Sequence, residues 1–379
     1  MAEEGDRVRR LDWVALRPSD TVAHMYAWNE EQLMIRDAVR DFIEREIAPR
    51  REELEFGDMP PYDLLRKLFS TFGMDQMAKD RFAKTIAFEK SVEAAIAAGE
   101  TPPEKPASGD GHDPSLTMIP IIELCRYSPG MVTAMGVSMG LASAAIMSKG
   151  TTAQKERWAL DLLTLDKVGA WAITEPNSGS DAFGSMKATA RRDGDEYVLN
   201  GSKTFITNGP YAETIIFICK LDEGNPPEDR KILSFVLDTG MAGLEQSKPL
   251  RKMGMHSSPT GELFLDDVRV GIDRLIGETE DLPSGGRDGA KATFAIERSG
   301  VAAMALGMID KALELSIEYA KERVQFGQRI GDFQLIQDKL ARMEVARLNV
   351  ENMVFRYIET SRDGVELSLA EASAMKLYS

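Results

Sequence analysis

Between residues 28 and 47 the apolar positions Ile35, Val39, Phe42 and Ile47 return at near-helical intervals with charged residues between them, until Pro49 ends the pattern. The spacing predicts an amphipathic helix. A second helical stretch is predicted over 64–72, after Pro60 and Pro61. Residues 77–114 pass from a Lys-rich and Ala-rich segment into the tail Thr101-Pro-Pro-Glu-Lys-Pro-Ala-Ser-Gly-Asp-Gly, and the composition of that tail predicts a solvated loop. Small and apolar residues then fill 119–165, where Gly136 and Gly140, four apart, are expected to let helices pack closely in a buried layer.

Beyond Asp166 the period changes from helical to alternating, and strands are predicted at 196–199, 215–219, 232–237 and 262–270. Asn200-Gly201, set between two alternating runs, predicts a type I′ hairpin, because both central residues of that turn need positive φ. The helical period returns after Ser284-Gly-Gly-Arg-Asp-Gly. Val301, Met304, Met308, Leu315 and Tyr319 form one stripe and Leu306, Ile309, Leu313 and Ile317 another, predicting a helix buried on most sides. Phe333, Ile336, Leu340, Met343, Val350, Val354 and Tyr357 then follow in steps of three and four, a bundle pattern. The plan is an α+β multidomain chain: a helical domain at 1–165 with an insertion at 77–114, a β domain at 166–282, and a helical domain at 283–379.

Composition narrows the class. With 379 residues and 43% hydrophobic content the chain can build real cores, and a net charge of -15 argues against a broad nucleic-acid surface. Cys125 and Cys219 have no CxxC spacing and read as small core residues in a reducing compartment. His24, His112 and His256 lack the short spacings of metal ligands. The N-terminus mixes Glu3, Glu4 and Asp6 with Arg7, Arg9 and Arg10 and has no apolar core for a secretory or typical transit signal. No run of about 18 apolar residues predicts a membrane span. A cytoplasmic protein is expected, and without a secretion signal the acceptor-like triplet Asn200-Gly201-Ser202 is discounted as a glycosylation site.

Candidate chemistry concentrates in Trp171-Ala-Ile-Thr-Glu-Pro-Asn-Ser-Gly-Ser-Asp and, downstream, Asn200-Gly-Ser-Lys-Thr-Phe-Ile-Thr-Asn-Gly. No GxGxxG follows a strand, and Gly285-Gly-Arg-Asp-Gly-Ala-Lys lacks the GK[ST] ending of a phosphate loop, so Rossmann and P-loop readings drop out. Thr174, Ser178, Ser180, Thr207 and Asn208 supply groups that either cap loops or grip a polar cofactor.

Those two segments, with Lys252-Met-Gly-Met-His-Ser-Ser-Pro-Thr, Phe264-Leu-Asp-Asp-Val-Arg-Val and Arg323-Val-Gln-Phe-Gly-Gln-Arg-Ile-Gly-Asp-Phe-Gln, resemble in consistent order the motifs of the acyl-CoA dehydrogenase family, over residues 28–376. The resemblance implies an N-terminal helical domain, a central β-barrel-like domain and a C-terminal helical bundle, usually as a homotetramer binding FAD. It implies α,β-dehydrogenation of an acyl-CoA thioester to a 2-enoyl-CoA, with electrons passed to an electron-transferring flavoprotein. An acyl-CoA oxidase or flavin monooxygenase of the same fold, and a non-catalytic scaffold, are the alternatives.

By position, the resemblance sets Trp171, Ile173 and Thr174 beside the isoalloxazine, with the Thr174 hydroxyl toward N5, and brings Gly179 and Ser180 near flavin and the pantetheine arm. Phe205, Ile206 and Thr207 are expected to face the ring. Phe205 stands where the family more often has Trp, keeping an apolar wall but losing the indole N–H. Arg323, in Arg-x-x-Phe-Gly with Phe326, is similar to the arginine that pairs the FAD pyrophosphate of a neighbouring subunit, a task suited to a guanidinium fork, and Gln334 lies along the same edge.

Most members carry the catalytic carboxylate on a segment that would follow Tyr378, and a minority at the position of Glu297, here in Ala295-Ile-Glu-Arg. Glu297 is therefore the candidate base, a role for which a desolvated carboxylate is well matched, or one half of a structural Glu-Arg pair. Arg298 is expected to lie near substrate or brace the domain, and to hold Glu297 ionised. The chain departs from the pattern at 77–114, where relatives have a short connection with a Pro and paired Gly at the acyl end of the pocket. Relatives continue past Tyr378 into helices that give a Gln and a Gly-Gly pair to a neighbour's FAD; either this sequence ends early or the protein is altered, and the first is expected, because loss of those helices would expose the stripe containing Leu340 and Met343.

Overall fold

A computed structural model describes residues 27–104, 113–281, 286–365 and 367–379. His24, His112 and the predicted loop beyond Glu104 lie outside the described residues. Helix α1 (Glu30–Glu46) starts at Asn29, whose side chain accepts from the Gln32 amide while Gln32 caps Asn29 in return, and it buries Val39, Phe42 and Ile43. Helices α2 (Arg51–Phe56), α3 (Tyr62–Thr71) and α4 (Met74–Ala97) follow. Helix α4 occupies most of the Lys-rich and Ala-rich part of 77–114, for which the sequence predicted no particular element. It buries only Phe82 and Ile86, so it leaves almost no apolar stripe in the sequence.

After α5 (Ser115–Cys125), α6 (Pro129–Gly136), a π-helical turn at Val137–Ala142 and α7 (Ser143–Lys149) run on as one helix, Pro129–Lys149. By length and apolarity this helix meets the membrane-span criterion that the sequence reading found no run to satisfy. Met131, Ala134, Ala142 and Ile146 are buried against protein, so it is an interior helix that passes the same test. Short helices α8 (Thr152–Gln154) and α9 (Leu160–Leu163) flank a second π turn at Lys155–Ala159.

The sheet comprises β1 (Gly169–Ala172), β2 (Thr189–Asp193), β3 (Glu196–Thr207), β4 (Thr214–Leu221), β5 (Ile232–Asp238), β6 (Leu244–Gln246) and β7 (Thr260–Gly271). Strands β1 and β2 take successive halves of one edge of β4, both parallel to it, β5 pairs the other edge antiparallel, and the sheet continues β2-β3-β7-β6. Every residue of β4 is buried, which explains its unbroken apolar run.

The predicted hairpin moves. The β2–β3 turn is Gly194-Asp195, with Gly194 at φ 63°, whereas Asn200-Gly201 lies inside β3 at a register shift against β7. Gly201 has φ 145°, and a Cβ there would lie 2.7 Å from the Ala188 Cβ. Positive φ serves a bulge as well as a turn, so the dipeptide marked a real irregularity of the other kind.

Helix α10 (Gly286–Glu322) begins inside the segment read as a breaker. It is joined through β8 (Val324–Gln325) and β9 (Gln328–Arg329) to α11 (Gln334–Arg362), and α12 (Leu369–Tyr378) follows. Leu306 and Leu313 of α10 are buried; of the other predicted stripe Val301 and Met304 are partly buried, while Met308, Leu315 and Tyr319 are about half exposed. On α11, Val350, Val354, Phe355 and Ile358 are buried, while Leu340 and Met343 are only partly covered.

Two polar ties dock the first helices onto the sheet. Asn208, fully buried at φ 65°, donates from Nδ2 to the carbonyls of Ala134 on α6 and Gly169 on β1, both at 2.8 Å, and accepts from the Tyr62 hydroxyl at 2.9 Å. Ser138, in the π turn, accepts from the Gly169 amide at 2.9 Å. A Cβ at Gly169 would lie 2.8 Å from that of Ala142, so glycine permits this approach. Among the helices, Arg40 grips the buried Glu123 of α5 with two bonds of 2.8 and 2.9 Å, and Arg126 pairs with Glu314 of α10. Replacing Asn208 with alanine, which leaves two carbonyls and a phenol short of a partner, is expected to cost about 3 kcal/mol. Denaturant unfolding followed by circular dichroism checks this, and a loss below about 0.5 kcal/mol would contradict it.

Candidate functional site

A cavity of about 1260 Å³ opens between the helix Pro129–Lys149, the sheet face carrying β1 and β5, and α10. Trp171 of β1 and Glu297 of α10 both line it, so residues from separate parts of the chain meet at one space. Its walls are chiefly apolar, with Ile121, Val137, Leu275 and Met304 among them, and Lys231, Glu280 and Asp281 add charge. Gly136 and Gly140 line it too, and a Cβ at either would meet nothing within 4 Å. Close helix packing was the wrong reading of that pair, because they face open space.

The loop after β1 is built around an ion pair hidden from water. Lys203 of β3 is fully buried and its ammonium lies 2.9 Å from Oε1 of Glu175, which is itself nearly inaccessible. Glu175 also accepts from the amides of Lys187 and Ala188 at 2.7 and 2.9 Å, and Lys203 donates to the Ile173 carbonyl at 3.0 Å. Burial pulls the Lys203 ammonium below its usual range, and the Glu175 charge opposes that pull. With the Thr204 amide bonded to the Thr174 carbonyl at 2.9 Å, these contacts hold residues 173–174 alongside 203–204. The two sequence segments are thus one local structure.

Next to that lock, Phe205 has φ 56° and sits at a second register shift between β3 and β7, with a side chain 68% exposed. An aromatic residue in the left-handed region is strained, typically by about 1–3 kcal/mol, and the bulge turns its ring out of the sheet. Ile206 is buried in the sheet core, so its side chain does not face a ligand as expected; only its main chain could. Thr174 and Thr207 are half-buried, and Gly179 and Ser180 are exposed.

The polar groups divide. Ser178 is buried and caps its own loop through the Asp181 carbonyl at 2.8 Å, and Asn208 is the domain tie described above. The hydroxyls of Thr174, Ser180 and Thr207 make no side-chain hydrogen bond among the described residues and are of the kind that grip the polar edges of a heteroaromatic group, but of these three with Phe205 and Trp171 only Trp171 lines the cavity.

Glu297 is exposed at the cavity rather than desolvated as expected in this chain. Arg298 donates to the Ser373 hydroxyl of α12 at 3.1 Å and makes no ion pair with Glu297 among the described residues, so it braces α10 against α12 instead of holding Glu297 ionised. Arg323, Phe326 and Gln334 are brought together elsewhere, at the α10–α11 junction and off the cavity. Phe326-Gly327, at φ 54° and 79°, turns the β8–β9 hairpin and leaves the Phe326 ring 95% exposed against the edge of Phe333, with centroids 6.3 Å apart. Both cysteines are core residues whose thiols burial pushes up, Cys219 to about 12. His256 is held by the Lys252 carbonyl and by its own amide on Glu55.

Sequence reasoning passed over Glu175, Lys203 and the structural role of Asn208. Lys203 carried a usable signal, a lone cation inside a strand otherwise reading as half-buried, with a carboxylate in the partner segment.

Comparison with known proteins gives one answer along the chain. Residues 170–268 match "Acyl-CoA dehydrogenase, middle domain", 284–379 match "Acyl-CoA dehydrogenase, C-terminal domain", and 29–79 with 73–166 match "Acyl-CoA dehydrogenase, N-terminal domain". A short-chain specific acyl-CoA dehydrogenase of Megasphaera elsdenii is 35% identical over 71% of this chain and 69% of its own. A caffeyl-CoA reductase–Etf complex subunit of Acetobacterium woodii is 32% identical over 93% of this chain and 84% of its own. The solved structure of butyryl-CoA dehydrogenase from Megasphaera elsdenii superposes with a TM-score of 0.73 at 29% identity, covering 94% of this chain and 85% of that one.

The buried pair makes a clear prediction. Lys203→Met leaves Glu175 as an uncompensated charge and should cost about 3–5 kcal/mol by denaturant unfolding. Lys203→Arg, which keeps the charge but overfills the space, should lose less; equal stability of wild type and Lys203→Met would refute the role of the pair.

Proposed function

Because the chain belongs to the acyl-CoA dehydrogenase family, we propose that it oxidises an acyl-CoA thioester to the 2-enoyl-CoA with Glu297 as the base. One observation carries the choice of base: Glu297 lines the same cavity as Trp171, although 125 positions separate them in the chain. FAD is the cofactor, and an electron-transferring flavoprotein takes the electrons onward.

Trp171, Thr174, Phe205 and Thr207, with the main chain of Ile173 and Ile206, whose side chains are buried in the core, hold the flavin ring, while Gly179 and Ser180 lie toward the pantetheine arm. Bound FAD supplies a two-electron acceptor for hydride. Glu297 takes the α proton onto its carboxylate, the α C–H electron pair becomes the new double bond, and the β hydrogen leaves with its electrons. Substrate entering the cavity displaces water from Glu297, which supplies the desolvation that the open cavity lacks. Arg298 acts as a positioning residue by fixing this turn of α10 to Ser373.

Arg323, Phe326 and Gln334 lie off the cavity and serve the FAD of a second copy, within a homotetramer. The exposed Leu315 and Tyr319, on the part of α10 beyond the cavity, support such an assembly, since apolar surface of that kind is normally covered. A cytoplasmic setting suits the two buried thiols.

In the FAD-loaded protein, Glu297→Gln should lower the rate of anaerobic flavin bleaching by acyl-CoA at least about 100-fold while leaving the flavin spectrum intact. Unchanged bleaching would remove Glu297 as the base. Arg323→Ala should reduce FAD content, read as the ratio of flavin to protein absorbance, because a bidentate phosphate partner is lost. Full occupancy in that variant would contradict the shared site.

A further inference from the structure

We propose that the acyl group is one carrying a ring at or beside its reacting carbons, and that Gly136, Gly140 and Gly300 set this specificity. The inference rests on the function proposed above and deepens it.

Glycine inside a helix costs roughly 1 kcal/mol relative to alanine, so three on the walls of one cavity call for a reason. Backbone conformation does not supply it: Gly136 has φ -62°, and none of the three is among the positive-φ residues. Packing does not supply it either, because a Cβ built on any of them meets nothing within 4 Å. This contrasts with Gly169 and Gly307, where a Cβ would strike neighbouring atoms at 2.8 and 2.1 Å. What the missing side chains leave is width, on two facing helices at once.

Gly300 lies one helical turn beyond Glu297 on α10, so the width is next to the proposed base, where the α and β carbons must sit. Opposite, Gly136 and Gly140 bracket the start and middle of the π turn, the irregular part of their helix, a feature often found at functional sites. A single methyl branch needs one such vacancy; three, from both walls, clear the breadth of a ring. Met118, Met304 and Met308 complete the lining with deformable thioether side chains that can close on an irregular outline.

The test uses the FAD-loaded full chain and its Gly136→Leu and Gly140→Leu variants. Flavin bleaching gives kcat/KM for cyclohexanecarbonyl-CoA and butyryl-CoA, and calorimetry gives Kd for the unreactive thioethers S-(cyclohexylmethyl)-CoA and S-butyl-CoA. Wild type should favour the ring-bearing member of each pair at least tenfold. Each leucine variant should lose at least tenfold on the ring-bearing compounds and less than threefold on the straight ones. Leucine is the better helix former, so Tm should hold or rise and a folding defect would be visible separately. A wild-type preference for the butyl compounds, or leucine variants that shift both series equally or neither, would overturn the assignment while leaving the dehydrogenase reading intact. Failure of every thioester to bleach the flavin or bind would overturn that reading and this inference together.

Discussion

The Glu175–Lys203 ion pair is the constraint around which the site is arranged. Two charges taken out of water are tolerated only when nearly every lone pair and proton is matched, and here the match draws on three stretches of chain. The carboxylate takes two amides at 187–188 and the ammonium takes the Ile173 carbonyl, so the loop after β1, the approach to β2 and the middle of β3 must coincide. Gly201, which presses against Ala188, and the bulge at Phe205 lie on either side of this point. The strained Phe205 backbone is thereby held in place by its neighbours, and its ring stays outside the sheet.

The motif is therefore architectural first. Glu175, Ser178, Lys203 and Asn208 spend their polar groups on the protein itself, and the groups left over are Thr174, Ser180 and Thr207. Such division explains why a segment dense in hydroxyls and amides leaves only a few side-chain groups without a protein partner among the described residues.

Distance between elements is controlled in the same way. Asn208 and Ser138 pull the helix Pro129–Lys149 onto β1, where Gly169 allows contact, and this leaves the opposite side of that helix facing α10 across the cavity. One glycine closes an interface and others hold a space open. The neighbours of the absent Cβ, not the residue type, decide which.

Helices with a strong apolar stripe, such as α1 and α11, and strands with alternation or an unbroken apolar run, such as β4 and β7, were legible along the chain because each carries its own burial period. The ordered motifs also made the family legible. Helix α4 was not, since only Phe82 and Ile86 are buried and a nearly all-solvated helix leaves no period to read. Asn200-Gly201 announced positive φ but could not say whether the chain would turn or bulge there; pairing of β3 with β7 decided that. Likewise the sequence by itself determined which residues could ionise, bind or bend, including Glu297, Arg298 and Lys203. Only the tertiary structure decided that Lys203 meets Glu175, that Arg298 turns to Ser373, and that Glu297 shares a cavity with Trp171, because each pairing depends on how distant elements are packed, which no local pattern encodes.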